Sequence, residues 1–341
     1  MWQDADARHR PSNLLICSGS AVEGEGLLNQ GWTYQEQVDR SSAGLTVLAY
    51  YSRRYSHSSL AEWQSRIAAG QILLDDHPTT ADALLRAGQR LTYHRLPWQE
   101  PAVPLSFDVL YEDPDLLIVA KPSGLPVLPG GGFLEHTLLR QVQRMYPQEE
   151  SLDSQNFPVP IHRLGRGTSG LMLMARSPLA KSHLSQQMRD RQIQKTYRAL
   201  VIGISIPDQL TLTYAIGKIP HPILGYIYGA TPDGRFAHSE CRVLRRNSSS
   251  TLLEVTILTG RPHQIRIHLA AAGHPLLGDP LYGVGGIPIY QPEAGETAVP
   301  GDCGYCLHAY QLSFAHPRTG QPMCIVCPAP VELQSMELQS I

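Results

Sequence analysis

The chain has 341 residues, of which 42% are hydrophobic and 17% charged, so it is long enough for two domains with a sizeable core. Its formal net charge of −2 excludes a protein that is basic over its whole surface, although a local basic groove remains compatible with it. A run of eighteen apolar residues is absent from the sequence, and MWQDADARHRPSN at the start lacks the apolar segment of a secretory signal. We therefore expect a soluble, cytoplasmic protein with no membrane contact.

Residues 46–100 are predicted to form a small unit with helical structure first and a β-hairpin after it. LAEWQSRIAAG carries apolar residues at helical spacing, and Gly70 is expected to end this helix. QILLDD and QRLTYHRL are predicted strands, and the proline-rich PWQEPAVP after them indicates a linker. Residues 1–45 show weak periodicity, and their role is not predicted.

From about residue 105 the pattern is mostly β with interspersed helices, which predicts an α+β fold without a regular βαβ series. Strands are expected in FDVLYEDPDLLIVAK, GLMLMAR, KTYRALVI, SECRVLRR and TLLEVTIL. Ser177 followed by Pro178 predicts a helix start, because Ser is a favoured N-cap and Pro a favoured first helical residue. RPHQIRIHLAAAG is predicted to be a short helix with Pro262 at its first position and Gly273 at its end.

Six cysteines are present, and the last four have the C-x2-C-x17-C-x2-C spacing of a zinc ribbon. The alternative is a hairpin of LHAYQLSF and PMCIVCPA around the loop AHPRTGQ, with Cys327 near Tyr310 and Cys324 near Ser313. Residues three apart on a strand point to opposite faces, so the sulfurs of the second pair would diverge. We prefer the hairpin and expect no bound metal and reduced thiols.

Residues 161–200 concentrate positive charge. They contain eight Arg or Lys residues and one Asp, a local net charge of +7 in a chain whose total is −2. Such a concentration of one sign is suited to a phosphate backbone. Arg163 and Arg166 lie in the glycine-rich segment HRLGRGTSG, and loops of that kind often carry sites. The alternative, a solvated helix face, accounts well for the basic residues of the helix that follows.

A second basic cluster lies in RPHQIRIH, with Arg261 and Arg266 at the predicted start of a helix. Helix N-termini attract anions, so this cluster could also face a phosphate. Tyr197 lies between the two clusters in the sequence, and an aromatic ring beside basic residues can stack on a base. Solvated Arg and His side chains and a core tyrosine are the alternatives that spacing alone leaves open.

Five segments in this order closely resemble the RluA-type family of RNA pseudouridine synthases: YEDPDLLIVAKPSGLPVLP, IHRLGRGTSGLMLMAR, KTYRALV, TGRPHQIRIHLAAAGHPLLGDPLYG and LHAYQLSFAHP. The resemblance implies a catalytic-type domain over residues 105–335, with a mixed, largely antiparallel sheet and a central cleft. It also implies isomerisation of uridine to pseudouridine in structured rRNA or tRNA, by a monomer without cofactor or metal. GQRLTYHRLPWQEP, at the end of the 46–100 unit, resembles more loosely the small RNA-binding module of ribosomal protein S4.

The resemblance also implies roles for individual residues. Arg163 would help to displace the base, Tyr197 would stack on the uracil, and Arg261 would pair with the catalytic carboxylate. The segment KPSGLPV would line the pocket. Further RNA or substrate contacts are expected from Lys121, Arg166, Lys195, Ile265 and Arg266.

The sequence departs from the family at its catalytic position. The family motif is His-Arg-Leu-Asp with an essential aspartate, and Gly165 stands in that place here. Glycine offers no oxygen to attack the ribose or to take a proton. Two interpretations stay open: a synthase with a substituted carboxylate, or an RNA-binding pseudoenzyme that retains the cleft. The acidic residues of the matched region that could substitute are Asp115, Glu254 and Asp279.

Overall fold

The structure is a computed structural model. It describes residues 27–55, 58–146, 158–221, 224–288 and 299–335. Most of the N-terminal segment, residues 1–26 with Cys17, lies outside the described residues. In the part of the chain that is described, no helix is long and apolar enough to cross a membrane.

The N-terminal unit is a four-stranded antiparallel sheet with two helices. The helices are α1 (Val47–Arg54) and α2 (Leu60–Ala68). The strands lie in the order β1 (Trp32–Gln37), β4 (Arg90–Arg95), β2 (Ile72–Leu74) and β3 (His77–Pro78). The predicted helix and strands of this unit are confirmed, and Gly70 follows the helix with a φ of +71°. Strand β1 was not expected: it comes from the segment before residue 46 and pairs with β4 along its whole length.

The large unit confirms the predicted α+β class, because its ten-stranded sheet is mixed and largely antiparallel. Its main path runs through β10 (Gln209–Leu212), β13 (Ser239–Arg246), β14 (Ser250–Ile257), β9 (Gln194–Ile202), β15 (Leu307–Ala315), β8 (Ser169–Ala175), β6 (Leu116–Lys121) and β5 (Asp108–Glu112). Two strands pair beside this path: β7 (Val159–Pro160) with β8, and β16 (Pro322–Val326) with β15. A separate hairpin consists of β11 (Ile216–His221) and β12 (Gly225–Ala230). The helices are α3 (Leu138–Met145), α4 (Pro178–Arg189) and α5 (Gln264–Ala271).

The two predicted helix starts have different outcomes. Helix α4 begins as expected, with the Ser177 hydroxyl accepting a hydrogen bond from the backbone N–H of Ala180. The prediction for α5 was wrong at its start, since the helix begins at Gln264 and leaves Pro262 outside it. The physical reason is His263, whose left-handed φ of +52° interrupts the chain just before the helix.

The centre of the large sheet depends on a close approach between β8 and β15, which run parallel to each other. Gly170 has a φ of +103°, and a Cβ atom there would lie 2.2 Å from the carbonyl oxygen of Ala309. Both the backbone conformation and the lack of space require glycine. This contact fixes where the preceding loop, residues 161–168, meets the sheet.

The C-terminal hairpin has the predicted register. Cys324 lies opposite Ser313, and the backbone N–H of Cys327 donates to the carbonyl of Tyr310 at 2.8 Å. Cys303 lies elsewhere, with its sulfur 3.2 Å from Nε of Arg166. Among the described residues, no group of three or more His, Cys, Asp or Glu side chains could hold a metal ion.

The predicted linker, residues 97–104, forms hydrogen bonds with the large unit. The indole N–H of Trp98 donates to the carbonyl of Gly132 at 2.7 Å. Glu100 is buried, and its carboxylate accepts backbone N–H donors from three consecutive residues, 134–136, and a side-chain N–H from Asn29. Burial alone would raise the pKa of Glu100, but these donors hold it below the ordinary value. The two units are therefore connected by an ordered segment.

Candidate active site

A cavity of about 1020 Å³ lies beside the central strands of the large sheet. Its walls come from five separate segments of the chain: 161–168, 188–197, 224–228, 257–266 and 300–307. Arg163, Tyr197 and Arg261 belong to three of these segments, and all three line the cavity. Sequence motifs from residue 161 to residue 307 thus meet at one concave surface.

The lining of this cavity is strongly cationic. Among the described residues that line it there are six Arg or Lys side chains and no Asp or Glu. The six are Arg163, Arg189, Arg191, Lys195, Arg261 and Arg266. A concave surface with one sign of charge focuses the field and attracts an anionic ligand such as a phosphodiester. Arg189 and Arg191 were not among the predicted site residues, and for Arg189 the sequence also allowed a solvated helix face.

One wall of the cavity is aromatic and apolar. Tyr197 is 7% exposed and lines the cavity together with the apolar residues Ile265 and Leu307. Lys195 is two residues earlier on β9 and therefore points to the same face of the sheet. Burial raises the pKa of Tyr197 and lowers that of Lys195. This wall offers a neutral aromatic ring for a planar ligand.

In the structure, Arg266 pairs with a carboxylate, whereas Arg261 is bound to a backbone carbonyl. Arg261 lies in the loop before α5, where its Nε donates to the carbonyl of Phe236 at 2.9 Å. Arg266, in the first turn of α5, instead forms two hydrogen bonds of 2.7 Å to the carboxylate of Asp279. Both partners are buried, with 3% and 0% of their side chains exposed. The resemblance pairs Arg261 with a carboxylate at position 165, which is a glycine here, and the carboxylate-bound arginine of the cavity is Arg266.

The acidic residues considered as substitutes for an aspartate at position 165 do not line the cavity. Asp279 is engaged by Arg266 and by the backbone N–H groups of residues 281 and 282. Asp115 accepts hydrogen bonds from Arg318. Glu254 forms ion pairs with Arg198 and Arg242.

Lys121 and Arg166, which were expected to contact RNA or substrate, do not line the cavity. Lys121 is 1% exposed, and its ammonium donates to the carbonyls of Pro122, Leu125 and Arg166 at 2.8–3.1 Å. The Arg166 guanidinium lies 5.4 Å from the ring centroid of Phe133. Neither side chain lines the cavity, because both are used to hold loops together.

The segment KPSGLPV was also expected in the pocket, and it is absent from the lining. It packs behind the 161–168 loop instead. The backbone N–H of Gly124 donates to the Arg166 carbonyl at 2.8 Å, and the Ser123 hydroxyl donates to the Gly167 carbonyl at 2.8 Å. The segment thus supports the loop that carries Arg163 and Gly165.

Two histidines in the lining are neutral at pH 7. Burial lowers the pKa of both His162 and His263 to about 4. Nε2 of His162 accepts the backbone N–H of Leu173, so its proton is on Nδ1. The Tyr282 hydroxyl donates to the carbonyl of Tyr228 and therefore accepts from Nδ1 of His263. The positive charge of the cavity comes from its Arg and Lys residues alone.

Tyr305 is a lining residue that the sequence did not indicate. Its ring centroid lies 4.1 Å from Cζ of Arg266, and its hydroxyl lies 3.2 Å from Oγ1 of Thr168. A Cβ atom built on Gly165 would lie 2.7 Å from the same hydroxyl oxygen. Tyr305 comes just before the recognised segment LHAYQLSFAHP, and no local pattern marks it.

Comparison with known proteins identifies the family of the chain. A profile of the RNA pseudouridylate synthase family matches residues 115–271. The chain belongs to the RNA pseudouridine synthase family, whose members are isomerases that act on RNA.

Three relatives illustrate the similarity. An uncharacterized RNA pseudouridine synthase of Synechocystis is 50% identical over 86% of this chain and 98% of its own. RNA pseudouridine synthase 5 of Oryza sativa subsp. japonica is 43% identical over 91% of this chain and 90% of its own. The ribosomal large subunit pseudouridine synthase D of Neisseria meningitidis serogroup A is 32% identical over 84% of this chain and 75% of its own. Membership of the RNA pseudouridine synthase family, which the sequence motifs predicted, is confirmed.

Proposed function

We propose that this protein isomerises uridine in a ribosomal or transfer RNA and that the cavity receives the uridine after it has left its stack. One observation supports this above all: an aromatic wall and six cationic side chains line one concave surface. A base enclosed in a duplex cannot reach an enzyme's interior, so an enzyme that acts on it must extrude it. The relative named for the ribosomal large subunit supports ribosomal RNA as the first substrate to test.

Individual roles follow from position in the cavity. Tyr197 provides the ring on which the extruded uracil stacks, since stacking on an aromatic face is favourable for any base. Arg163 is exposed at the loop 161–168 and contacts the RNA backbone where the base leaves the stack. Arg261 binds a flanking phosphate with the donors that Phe236 does not use. Lys195, Ile265 and Arg266 complete the wall around the base.

The small N-terminal unit extends this interface in our proposal. Trp32 and Tyr34 on β1 are 44% and 45% exposed, and Arg53 and Arg86 are also exposed on this unit. Exposed aromatic rings among arginines can bind single-stranded or unpaired nucleotides. The linker, which is hydrogen-bonded to the large unit, would then hold this second RNA-binding surface at a fixed position relative to the cavity.

A second candidate function is RNA binding without turnover. It is favoured by a specific observation, namely that no carboxylate lines the cavity among the described residues and that position 165 is a glycine. Incubation of the purified protein with ribosomal and transfer RNA, followed by mapping of pseudouridine, separates the two candidates. Pseudouridine at a defined uridine is the expected result. RNA that binds tightly and remains unmodified would contradict the first proposal and favour the second.

Arg163→Ala and Arg261→Ala are each expected to weaken RNA affinity and to flatten its dependence on salt. A phosphate contact releases bound counterions, so the loss of one contact reduces the slope of log affinity against log salt by about one unit. Binding titrations from 50 to 200 mM salt measure this slope. Arg242→Ala is the matched control, because Arg242 is an exposed arginine paired with Glu254 outside the cavity. An unchanged slope in both test variants would contradict the assigned interface.

A further inference from the structure

The backbone does not explain why position 165 is a glycine. Gly165 has no left-handed φ, so other residues could adopt its conformation. What excludes a side chain is Tyr305, because a Cβ atom at position 165 would lie 2.7 Å from the Tyr305 hydroxyl oxygen. Real Cβ atoms essentially never approach another heavy atom within 3.0 Å. A residue larger than glycine at this position requires the tyrosine to move.

Tyr305 is held on several sides and has little freedom to move. It is 5% exposed. Its hydroxyl contacts Oγ1 of Thr168 at 3.2 Å, and its ring lies so close to Gly167 that a Cβ there would be 3.0 Å from two ring atoms. A third contact is the stacking of the ring on Arg266. The phenol thus occupies the space beside Gly165 as a fixed part of the wall.

The Tyr305 ring also contacts the buried guanidinium of Arg266. Two of its nitrogens pair with Asp279, while Nη1 is buried and has no hydrogen-bond partner among the described residues. Cζ of the guanidinium lies 4.1 Å from the ring centroid of Tyr305. The negative face of an aromatic ring attracts a guanidinium, so the ring partly compensates for the missing acceptor. Tyr305 is therefore a neighbour of both position 165 and the buried cation of the cavity.

We propose that Tyr305 takes the place of a side chain at position 165 as the partner of Arg266, so that an acidic residue at 165 and the tyrosine at 305 exclude each other. The proposal rests on the proposed function only where it concerns the product of the reaction. It assigns Tyr305 as a positioning residue, which holds Arg266 and shapes the wall next to the loop that carries Arg163. Restoring a carboxylate at position 165 then requires a smaller or less polar group at position 305.

If Tyr305 excludes a side chain from position 165, substitutions at the two positions change the melting temperature non-additively. Gly165→Asp is expected to lower the melting temperature by about 5 °C, because overpacking forces neighbouring groups apart. Tyr305→Phe removes only the oxygen that would collide and is expected to lower it by about 2 °C. The double variant should melt within about 2 °C of Tyr305→Phe alone, since the nearest atom left beside the Cβ is Oγ1 of Thr168, at an ordinary contact distance of 3.4 Å. Gly301→Asp is the matched control, because a Cβ at Gly301 meets nothing within 4 Å.

Pseudouridine formation on the same four proteins provides a readout that a purely structural role would not change. The Gly165→Asp, Tyr305→Phe double variant is expected to form product at least tenfold faster than Gly165→Asp. Additive shifts in melting temperature, or equal rates from these two variants, would overturn the proposal. Absence of product from every variant would contradict the proposed function instead, and the melting temperatures then decide the exclusion by themselves.

Discussion

Asp279→Asn is expected to lower the free energy of unfolding by about 3–5 kcal/mol, the usual cost of removing one partner of a buried ion pair. The carboxylate of Asp279 receives two hydrogen bonds of 2.7 Å from Arg266, and 0% of its side chain is exposed. Asn keeps the size of Asp but leaves the guanidinium charge uncompensated in the interior. Because Arg266 lines the cavity, we expect RNA affinity to fall as well.

Urea unfolding monitored by circular dichroism measures this change, and Asp208→Asn is the matched control. Asp208 also pairs with an arginine at 2.7 Å, but 82% of its side chain is exposed. Exposed pairs contribute less than about 1 kcal/mol, so the control should remain close to the native protein. An Asp279→Asn protein as stable as this control would show that the buried pair does not stabilise the wall.

Lys121→Met is expected to lower the free energy of unfolding by about 3 kcal/mol and to reduce RNA modification. The ammonium of Lys121 donates to three carbonyls, and a buried acceptor left without a donor costs about 1–3 kcal/mol. Met keeps much of the length and apolar character of the Lys stem but donates nothing. One of the three carbonyls belongs to Arg166, so the loop 161–168 would lose an anchor close to Gly165.

The same urea experiment, combined with pseudouridine mapping, tests this prediction. Lys181→Met is the control, because Lys181 is exposed on α4 and does not line the cavity. We expect the control to match the native protein in both measurements. If Lys121→Met retained native stability and native product, the three carbonyl contacts would have no role in supporting the loop.

Asp279 and Lys121 lie outside the cavity lining, and each acts on the cavity through another residue. Asp279 holds Arg266, and Lys121 holds the loop that carries Arg163. Neither Asp279 nor Lys121 lines the cavity. A cavity rich in like charges needs such supports, since its cations repel one another and burial disfavours them.

Much of the site was predictable because its segments are long and have local signals. Five segments indicated the family, and Arg163, Tyr197 and Arg261 from three of them do line one cavity. Helix α4 followed from the Ser-Pro start, and the C-terminal hairpin from two strand-like segments around a turn-forming loop. These features depend on a few consecutive residues, which is why periodicity and turn residues suffice to predict them.

The predictions that failed depend on contacts between distant residues. Lys121 was expected on the RNA and is instead enclosed by carbonyls, one of them 45 residues away. Arg266 binds a carboxylate 13 residues further along the chain, while Arg261 donates to a backbone carbonyl 25 residues before it. Charge and spacing alone do not distinguish a cation that faces a ligand from one that closes a loop.

By itself, the sequence determined the α+β class, the family, and the segments that supply the cavity. The tertiary structure alone decided how the side chains are divided between binding and support, and it showed that Tyr305 occupies the space beside Gly165. The physical reason is that the space for a side chain at position 165 is limited by Tyr305, a residue 140 positions away in the sequence. A local sequence pattern does not reveal such a contact, whereas the close packing of the folded chain determines it.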